Sequence, residues 1–300
     1  MFTLLTITGL VSLFPLPCSN AALAAANPNR ATVALTHRTD IIPSSPPVSM
    51  PYMPPNPSRP PGRDEALGLG LRYVLAERTT NYFHASPTQA KNIELVAKRL
   101  NGLILEPGQT FSYNHELGPY TAGNGYGWGR AFLGDRIVPS MGGGVCQGAS
   151  TLYSALLRTG LPIVERHQHG LTVPYLPAGE DATVSEPTLD FRFQNNLPTP
   201  VMIGASADSQ ERFLTVALWG AKPLRPLMVH HRVISTSAYS TLHKRTDKLP
   251  KGQHHVMFPG QNGVQVETWV DNPADQVHSK RSFGVDTYLA SPRVIEDGQG

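Results

Sequence analysis

The stretch GGGVCQGASTLYSALLRTG, residues 142–160, places three glycines and a valine directly before Cys146. A helical pattern with one apolar face follows at once. A thiol at the start of a helix lies close to unpaired N–H groups and to the positive end of the helix dipole, and both favour the thiolate. The glycines permit a sharp turn and a close approach of substrate. The pattern predicts a nucleophilic cysteine; the alternative is an inert buried cysteine that fills a gap.

A nucleophilic cysteine needs a base, and the segment ERHQHGLTVPYL offers His167 and His169. If this segment is a strand, the two side chains share one face. The next predicted strand, TLDFRFQNN, would bring Asp190 across from them. We expect His169 to be the general base and Asp190 to orient it, as in a catalytic triad. Asp181, at the turn between the two strands, is the competing carboxylate.

Backbone N–H groups at the helix start, those of Cys146 and Gln147 among them, are candidates to stabilise an oxyanion. The full set of candidate substrate and oxyanion residues is Gly143, Gly144, Gln147, Arg166, His167, Tyr175 and Asp181. Cys146, His167 and His169 could instead hold zinc, but no CxxC or HExxH pattern supports such a site. We therefore expect neither a metal nor a cofactor.

Two kinds of element must position these residues. ASPTQAKNIELVAKRLNG predicts a helix with Ser86 as its N-cap and Pro87 in its first turn. After the cysteine helix, short strand-like runs alternate with turn signals. The expected fold is α+β, with the cysteine helix packed on an antiparallel sheet in a transglutaminase-type or papain-like arrangement. A smaller β-rich region follows.

The two ends of the chain differ from this body. The first 29 residues carry no charged side chain, and Ala22-Leu23-Ala24 fits a signal-peptidase site. Nine prolines between residues 43 and 61 predict an extended spacer. The predicted organisation is a signal peptide (1–24), a proline-rich linker (25–63), a main domain (64–220) and a β-rich C-terminal region (221–300). A membrane anchor is the alternative for the first segment, although Pro15 and Pro17 interrupt its apolar run.

Composition narrows the partners. The net charge is only +3, and the sequence has no Lys/Arg run or basic stripe, so a nucleic-acid partner is excluded. With a cleaved signal peptide, the mature protein would be peripheral to the membrane, in the periplasm, the cell wall or outside the cell. It would keep a single cysteine, Cys146, which cannot form an internal disulfide.

The segment from GGGVCQGASTLYSALLRTG to DATVSEPTLDFRFQNNLPTPVMI closely resembles the VanW family of bacterial cell-envelope proteins. With KNIELVAKRLNGLILEPGQTFSYNHELGPY upstream, the resemblance covers roughly residues 79–205, and GGG-x-CQ and DAT-V are specific elements. The stretches PGQNGVQVETW and DTYLASPRVIEDG are similar to a G5-like segment. In AGEDATV, Glu180 stands where the family has a basic residue. If that basic residue binds a substrate carboxylate, this chain would either prefer a different acceptor or bind its substrate more weakly.

The resemblance implies work on peptidoglycan, because the family occurs with glycopeptide-resistance genes and wall-binding modules. Some members are understood as cysteine L,D-transpeptidases, which would make Cys146 the nucleophile that accepts the acyl group. We therefore expect an exported cysteine transpeptidase or hydrolase whose partners are peptidoglycan stem peptides. The alternatives are a non-catalytic peptidoglycan-binding module and the zinc site.

Overall fold

The computed structural model describes residues 60–133, 136–271 and 279–300. Within them, four α-helices and one 3₁₀ helix (Ala122–Asn124) are present. The α-helices are α1 (Arg63–Gly68), α2 (Pro87–Leu100), α3 (Tyr113–Leu117) and α4 (Val145–Leu156). Helix α2 begins as the sequence predicts, because the Ser86 side chain accepts a hydrogen bond from the N–H of Gln89 and Pro87 occupies the first helical position.

Fifteen strands make up the β structure of the described residues. They are β1 (Tyr73–Asn81), β2 (Leu103–Leu105), β3 (Thr110–Ser112), β4 (Trp128–Leu133), β5 (Arg136–Met141), β6 (Ile163–Glu165), β7 (Arg192–Gln194), β8 (Val201–Asp208), β9 (Phe213–Gly220), β10 (Val229–Ser237), β11 (Thr241–Thr246), β12 (His254–Gln261), β13 (Gly263–Asp271), β14 (Lys280–Tyr288) and β15 (Ser291–Gly298).

The strands form five small sheets. The largest is antiparallel with the order β1-β9-β8-β2, and β3-β7-β6 and the hairpin β4-β5 are smaller. The C-terminal strands form two three-stranded sheets, β10-β13-β14 and β11-β15-β12. Strand β11 runs parallel to β15, whereas the other pairs are antiparallel.

The main core lies between the four-stranded sheet and helices α2 and α4, which contact β8, β1 and β9. Helix α2 buries Ile93, Val96 and Leu100 at a spacing of three and four residues. Helix α4 buries nearly every residue, Leu152 and Leu156 among them. A helix that is buried on all sides can place a reactive group only at its end.

The predicted fold class is wrong. The described residues are mostly β, with 42% strand and 18% helix in several small sheets, and they do not form the transglutaminase-like or papain-like arrangement. Two long strands were expected after α4, but the structure has only β6 and β7 there, with three residues each. Residues 166–191 between them form no strand. Pro174, Pro177 and Pro187 interrupt this segment, and several of its amides donate to side chains or to isolated carbonyls rather than to a strand ladder.

The predicted signal peptide and nearly all of the predicted linker lie outside the described residues. In the part of the chain that is described, no helix is long and apolar enough to cross a membrane. Strand β9 ends at Gly220, and the first C-terminal strand, β10, begins at Val229. The proposed domain boundaries stay predictions.

Candidate active site

Three glycines hold the start of the cysteine helix. Gly144 is the N-cap of α4 with φ of 106°, a backbone conformation that L side chains rarely adopt. Gly143 lies directly against the backbone of Gly129 in β4, where an added Cβ would lie 2.3 Å from the Gly129 carbonyl carbon. The predicted role of these glycines was access for substrate. The structure adds a packing reason, since hairpin β4-β5 and the helix start meet backbone to backbone.

Asn92 of α2 fastens this loop from the other side. Its Nδ2 donates to the carbonyl oxygens of Gly127 and Gly143, each at 2.9 Å, and its Oδ1 accepts from the N–H of Gly127 at 2.9 Å. The side chain is buried, so losing these bonds would leave polar groups unpaired. The sequence gives α2 only a packing role, and Asn92 was missed.

Cys146 is the second residue of α4 and is half-buried. Its Sγ lies 3.6 Å from the Thr183 hydroxyl and 3.5 Å from the Val184 carbonyl oxygen, and it hydrogen-bonds His169. Burial alone would raise the pKa of the thiol, but the hydrogen bond and positive charge of His169 outweigh it, so the pKa is lowered. The site therefore favours the thiolate.

Tyrosine hydroxyls complete the titratable surroundings of the thiol. Burial raises the pKa of Tyr113, Tyr120 and Tyr175, so these groups stay neutral beside Cys146. Tyr113 donates to the Val145 carbonyl at 2.8 Å, and Tyr175 hydrogen-bonds Ser150 of α4. Tyr175, a predicted substrate residue, is thus brought to the nucleophile helix.

His169 pairs with Asp181. The ring Nδ1 lies 2.6 Å from Asp181 Oδ2, and the His169 backbone N–H donates to the same oxygen at 2.8 Å. Both side chains are buried. Burial by itself lowers the pKa of His169, but the hydrogen bonds to Asp181 and Cys146 raise it to about 9. With Nδ1 on Asp181, Nε2 is the ring nitrogen available to the thiolate.

Asp181 is itself held on its other oxygen. Burial would raise the pKa of its carboxyl, yet the hydrogen bond and charge of His169 and the charge of Arg166 lower it. Arg166 Nη2 lies 3.2 Å from Asp181 Oδ1, and the Tyr288 hydroxyl donates to that oxygen as well. Arg166 also donates through Nη1 to Asp286 at 2.5 Å. Arg166, a predicted substrate residue, is therefore a buried partner of Asp181.

The expectation that Asp190 orients the base is corrected by this geometry. Asp190 Oδ2 accepts from the Ser112 hydroxyl at 2.6 Å, and Oδ1 accepts from the N–H groups of Asn114 and Phe191 at 2.9 and 2.8 Å. Asp190 thus fixes the start of α3 and makes none of the contacts recorded for His169. The expectation depended on a hairpin of two strands that residues 166–191 do not form.

Two other candidates have hydrogen-bond partners other than the thiol. His167 Nε2 lies 3.0 Å from Glu165, and its ring is 39% exposed. Gln147 donates from its side chain to Thr80 at 3.0 Å and to the Asn81 carbonyl at 2.8 Å, and its backbone N–H donates to Gly144. Among the described residues, no group of three or more His, Cys, Asp or Glu side chains is placed to hold a metal ion. The zinc alternative therefore lacks a ligand set there.

Glu180 is bound by protein groups on several sides. It is buried and accepts hydrogen bonds from Ser154 at 2.5 Å and from Arg158 at 3.0 and 3.2 Å, with His231 of β10 at 3.0 Å. Arg78 of β1 lies 3.6 Å away. Burial raises the pKa of Glu180, but His231 and the arginines lower it to about 2. Through these contacts Glu180 connects α4, β1 and β10.

Sequence reasoning missed four residues that shape the site. Thr183 lies within the DATV motif, so the motif itself was a signal that could have identified it. Asn92 is a polar residue on the buried side of an otherwise apolar helix face, which is a second usable signal. Tyr288 and Asp286 reach Asp181 and Arg166 from more than 100 positions along the chain, and no local pattern indicates that contact.

Comparison with known proteins places this site in context. Residues 88–219 match the family model described as VanW like protein. The chain is 37% identical over 142 residues to the uncharacterized protein YoaR of Bacillus subtilis (strain 168), covering 47% of each chain. It is 31% identical over 127 residues to the vancomycin B-type resistance protein VanW of Enterococcus faecalis (strain ATCC 700802 / V583), covering 40% of this chain and 46% of that protein.

The chain spans about half the length of these two curated relatives. Among solved structures, the G5 domain of IgA1 protease is similar at 22% identity, covering 24% of this chain and 89% of that domain. The TM-score is 0.18, so the structural likeness carries no argument about a ligand.

Proposed function

We propose that this chain, a member of the VanW family through residues 88–219, is an exported thiol acyltransferase that acts on peptidoglycan stem peptides. The observation that carries the proposal is the hydrogen-bonded series Cys146, His169 and Asp181 at the N-terminus of α4. A thiolate paired with an imidazolium, oriented by a buried carboxylate, is the arrangement that cysteine acyl transfer requires.

In the first half-reaction, the Cys146 thiolate attacks the carbonyl carbon of a donor peptide bond and forms a C–S bond. When the tetrahedral intermediate collapses, the C–N bond breaks and His169 gives its proton to the departing amine. The amine leaves as a terminal D-amino acid, and the donor remains as a thioester on Cys146. Asp181 keeps Nδ1 protonated, so that Nε2 is the nitrogen that exchanges protons.

In the second half-reaction, neutral His169 takes a proton from the incoming nucleophile. An amine of a neighbouring stem peptide gives a cross-link, and water gives hydrolysis. The new bond forms at the thioester carbonyl, the C–S bond breaks, and the thiolate and imidazolium are restored. The atoms and protons balance without a metal or a cofactor.

The oxyanion of the intermediate needs donors at the helix start. The N–H groups of Val145 and Gln147 already donate to the carbonyls of Gly142 and Gly144. We therefore assign the oxyanion to the N–H of Cys146, supported by the helix dipole. The Thr183 hydroxyl, 3.6 Å from Sγ, is close enough to the reacting atom to assist.

The substrate class is drawn from the family. One relative is named for vancomycin B-type resistance, and the VanW resemblance implies a role at the cell wall. A stem peptide offers the donor carbonyl and the acceptor amine that the two half-reactions need. On the same grounds we propose that the mature protein lies in the cell envelope and is peripheral to the membrane.

Intact-mass spectrometry of the mature protein with purified stem tetrapeptide and pentapeptide tests the proposal. We expect an adduct equal to the donor minus its released terminal residue, on Cys146 alone. Cys146→Ala is the matched control and should form none.

The result also separates the proposal from a non-catalytic peptidoglycan-binding module. Retention of stem peptide by both the native protein and Cys146→Ala, without an adduct or released D-amino acid, would show binding alone and overturn the acyltransferase. An adduct in the native protein excludes the binding module as the full account.

A further inference from the structure

We infer that Tyr288 and Asp286, at the end of β14, are positioning residues for Asp181 and His169. The C-terminal β region would then be part of the reacting unit rather than a separate module attached to it. The inference rests on the proposed function, because it concerns the same thiol and base. It adds a region that lies outside the 88–219 family match.

Tyr288 makes the direct contact. Its hydroxyl donates to Asp181 Oδ1 and accepts the N–H of Gly179 at 2.8 Å. The side chain is 2% exposed, so both bonds are sheltered from water. The hydroxyl fixes one carboxylate oxygen, and the other oxygen is thereby turned toward His169.

Asp286 acts through Arg166. The guanidinium lies between two carboxylates, with Nη1 on Asp286 at 2.5 Å and Nη2 on Asp181 at 3.2 Å. A guanidinium prefers to bind one carboxylate through two parallel hydrogen bonds. Because Asp286 binds Nη1, Arg166 does not bind both carboxylate oxygens of Asp181.

The same region also contacts the chain beside the base. The N–H of Leu289 donates to the carbonyl of Gly170, the residue after His169, at 2.7 Å. Gln261 of β12 donates to the Thr172 carbonyl at 3.1 Å. The C-terminal strands therefore contact the chain next to His169 and next to Asp181. The segment between these two residues forms no strand that could hold it in place.

The groups that face Asp181 are His169, Arg166 and Tyr288, and those that face Arg166 include Asp286 and Tyr153. If Tyr288 or Asp286 is removed, the Asp181 carboxylate turns toward the guanidinium. The imidazolium then loses its anionic partner, and the thiolate loses the imidazolium. The expected consequence is a thiol that ionises at higher pH.

Alkylation of the full-length protein by iodoacetamide from pH 5 to 9.5 measures this directly and needs no peptidoglycan. We expect the native protein to react at pH 6 within about threefold of its rate at pH 8. Tyr288→Phe should react about three- to sevenfold more slowly at pH 6, which is what a rise of about one pKa unit gives when the native thiol is already partly ionised at that pH. At pH 9.5 the two rates should converge, because any thiol is then largely ionised.

Tyr82→Phe is the matched control. Tyr82 is a core tyrosine, 3% exposed, whose hydroxyl donates to the Asp208 carbonyl at 2.8 Å. Its profile should overlay that of the native protein, although it also loses a buried hydrogen bond. Asp286→Asn is the second test variant and should shift the acid limb in the same direction as Tyr288→Phe. If melting curves show that Tyr288→Phe does not fold, the Asp286→Asn profile decides.

The outcomes separate two failures. If the native protein shows the lowered profile and the folded β14 variants keep it, the positioning role is overturned and the proposed function stands. If the native protein itself reacts as an ordinary thiol, the proposed function fails first. A shift shared by Tyr82→Phe would also overturn the inference, since it would reflect general loosening of the fold.

Discussion

The nucleophile and its base are held in opposite ways. Around Cys146, residues 142–156 are positioned by backbone packing: glycines against β4, one asparagine from α2, and a helix buried on all sides. Around His169, residues 166–185 have no strand or helix. Their positions are set by charged and polar side chains that reach in from β1, α4, β10 and β14.

The two regions thus fix the positions of their side chains by different physical means. Close backbone packing tolerates no added atoms but is insensitive to pH and salt. A buried polar network keeps its geometry only while every member is paired and charged as required. Substitutions of the glycines at the start of α4 should therefore act mainly on stability, and those of the direct partners of His169 mainly on the chemistry.

Asp181→Asn should have the largest effect. The amide cannot hold the imidazolium as the carboxylate does, so we expect single-turnover acylation by stem peptide to fall by ~10³–10⁴-fold in a folded protein. Asp190→Asn is the matched control, a carboxylate that fixes the start of α3. It should lower the melting temperature while acylation stays within about threefold. Equal losses in the two variants would contradict the assignment.

Glu180→Gln tests whether the polar network also stabilises the fold at a residue that takes no part in acylation. Removing the charge leaves Arg158 and Arg78 without their buried anion, and we expect the free energy of unfolding to fall by about 2–3 kcal/mol. Urea titration at pH 7 measures it. Because Glu180 makes none of the contacts recorded for Cys146, acylation per folded molecule should change little. A loss comparable to that of Asp181→Asn would mean that the two carboxylates act as one unit.

Gly144→Ala probes the packed side of the comparison. The φ of 106° is strained for alanine, and the added Cβ would lie 2.9 Å from Gln89 Cγ. We expect a destabilisation of about 1–3 kcal/mol. Thermal unfolding against Gly108→Ala, which also has positive φ but no heavy atom near the added Cβ, separates strain from crowding. Equal losses in the two would attribute the effect to φ alone.

The smallest expected effect is a pH dependence of the free energy of unfolding, which should come from the His169 region and not from the packed glycines. The pKa of His169 is raised from 6.5 to about 9, so its contribution to stability is complete below about pH 6.5 and is lost as pH rises through about 9. The lowered pKa of Cys146 has the opposite pH dependence, so the test is made in a Cys146→Ala background. There, between pH 6.5 and 9.5, the free energy of unfolding should fall more with His169 present than in the Cys146→Ala/His169→Gln double variant. Parallel curves would mean that His169 is neutral in the folded protein.

The sequence could predict what is local. The glycines, the helix start and Cys146 are adjacent in the chain, so their pattern determines their geometry directly. His169 was expected as the base because it lies in the nearby segment ERHQHGLTVPYL. The choice of Asp190 over Asp181 was wrong in its geometry because strand periodicity was assumed for a segment whose amides bind side chains. The fold class was wrong for the same reason. The role of β14 could not be predicted, since Tyr288 is 107 positions from Asp181.

That separation also sets the cost of closing the chain into loops. Contacts distant in sequence close the largest loops and are available only after the chain between them exists. The glycine loop and Asn92 are 51 positions apart, whereas Tyr288 and Asp181 are 107 positions apart. Closing the loop around the thiol therefore has the smaller entropic cost, and completing the support of its base has the larger one.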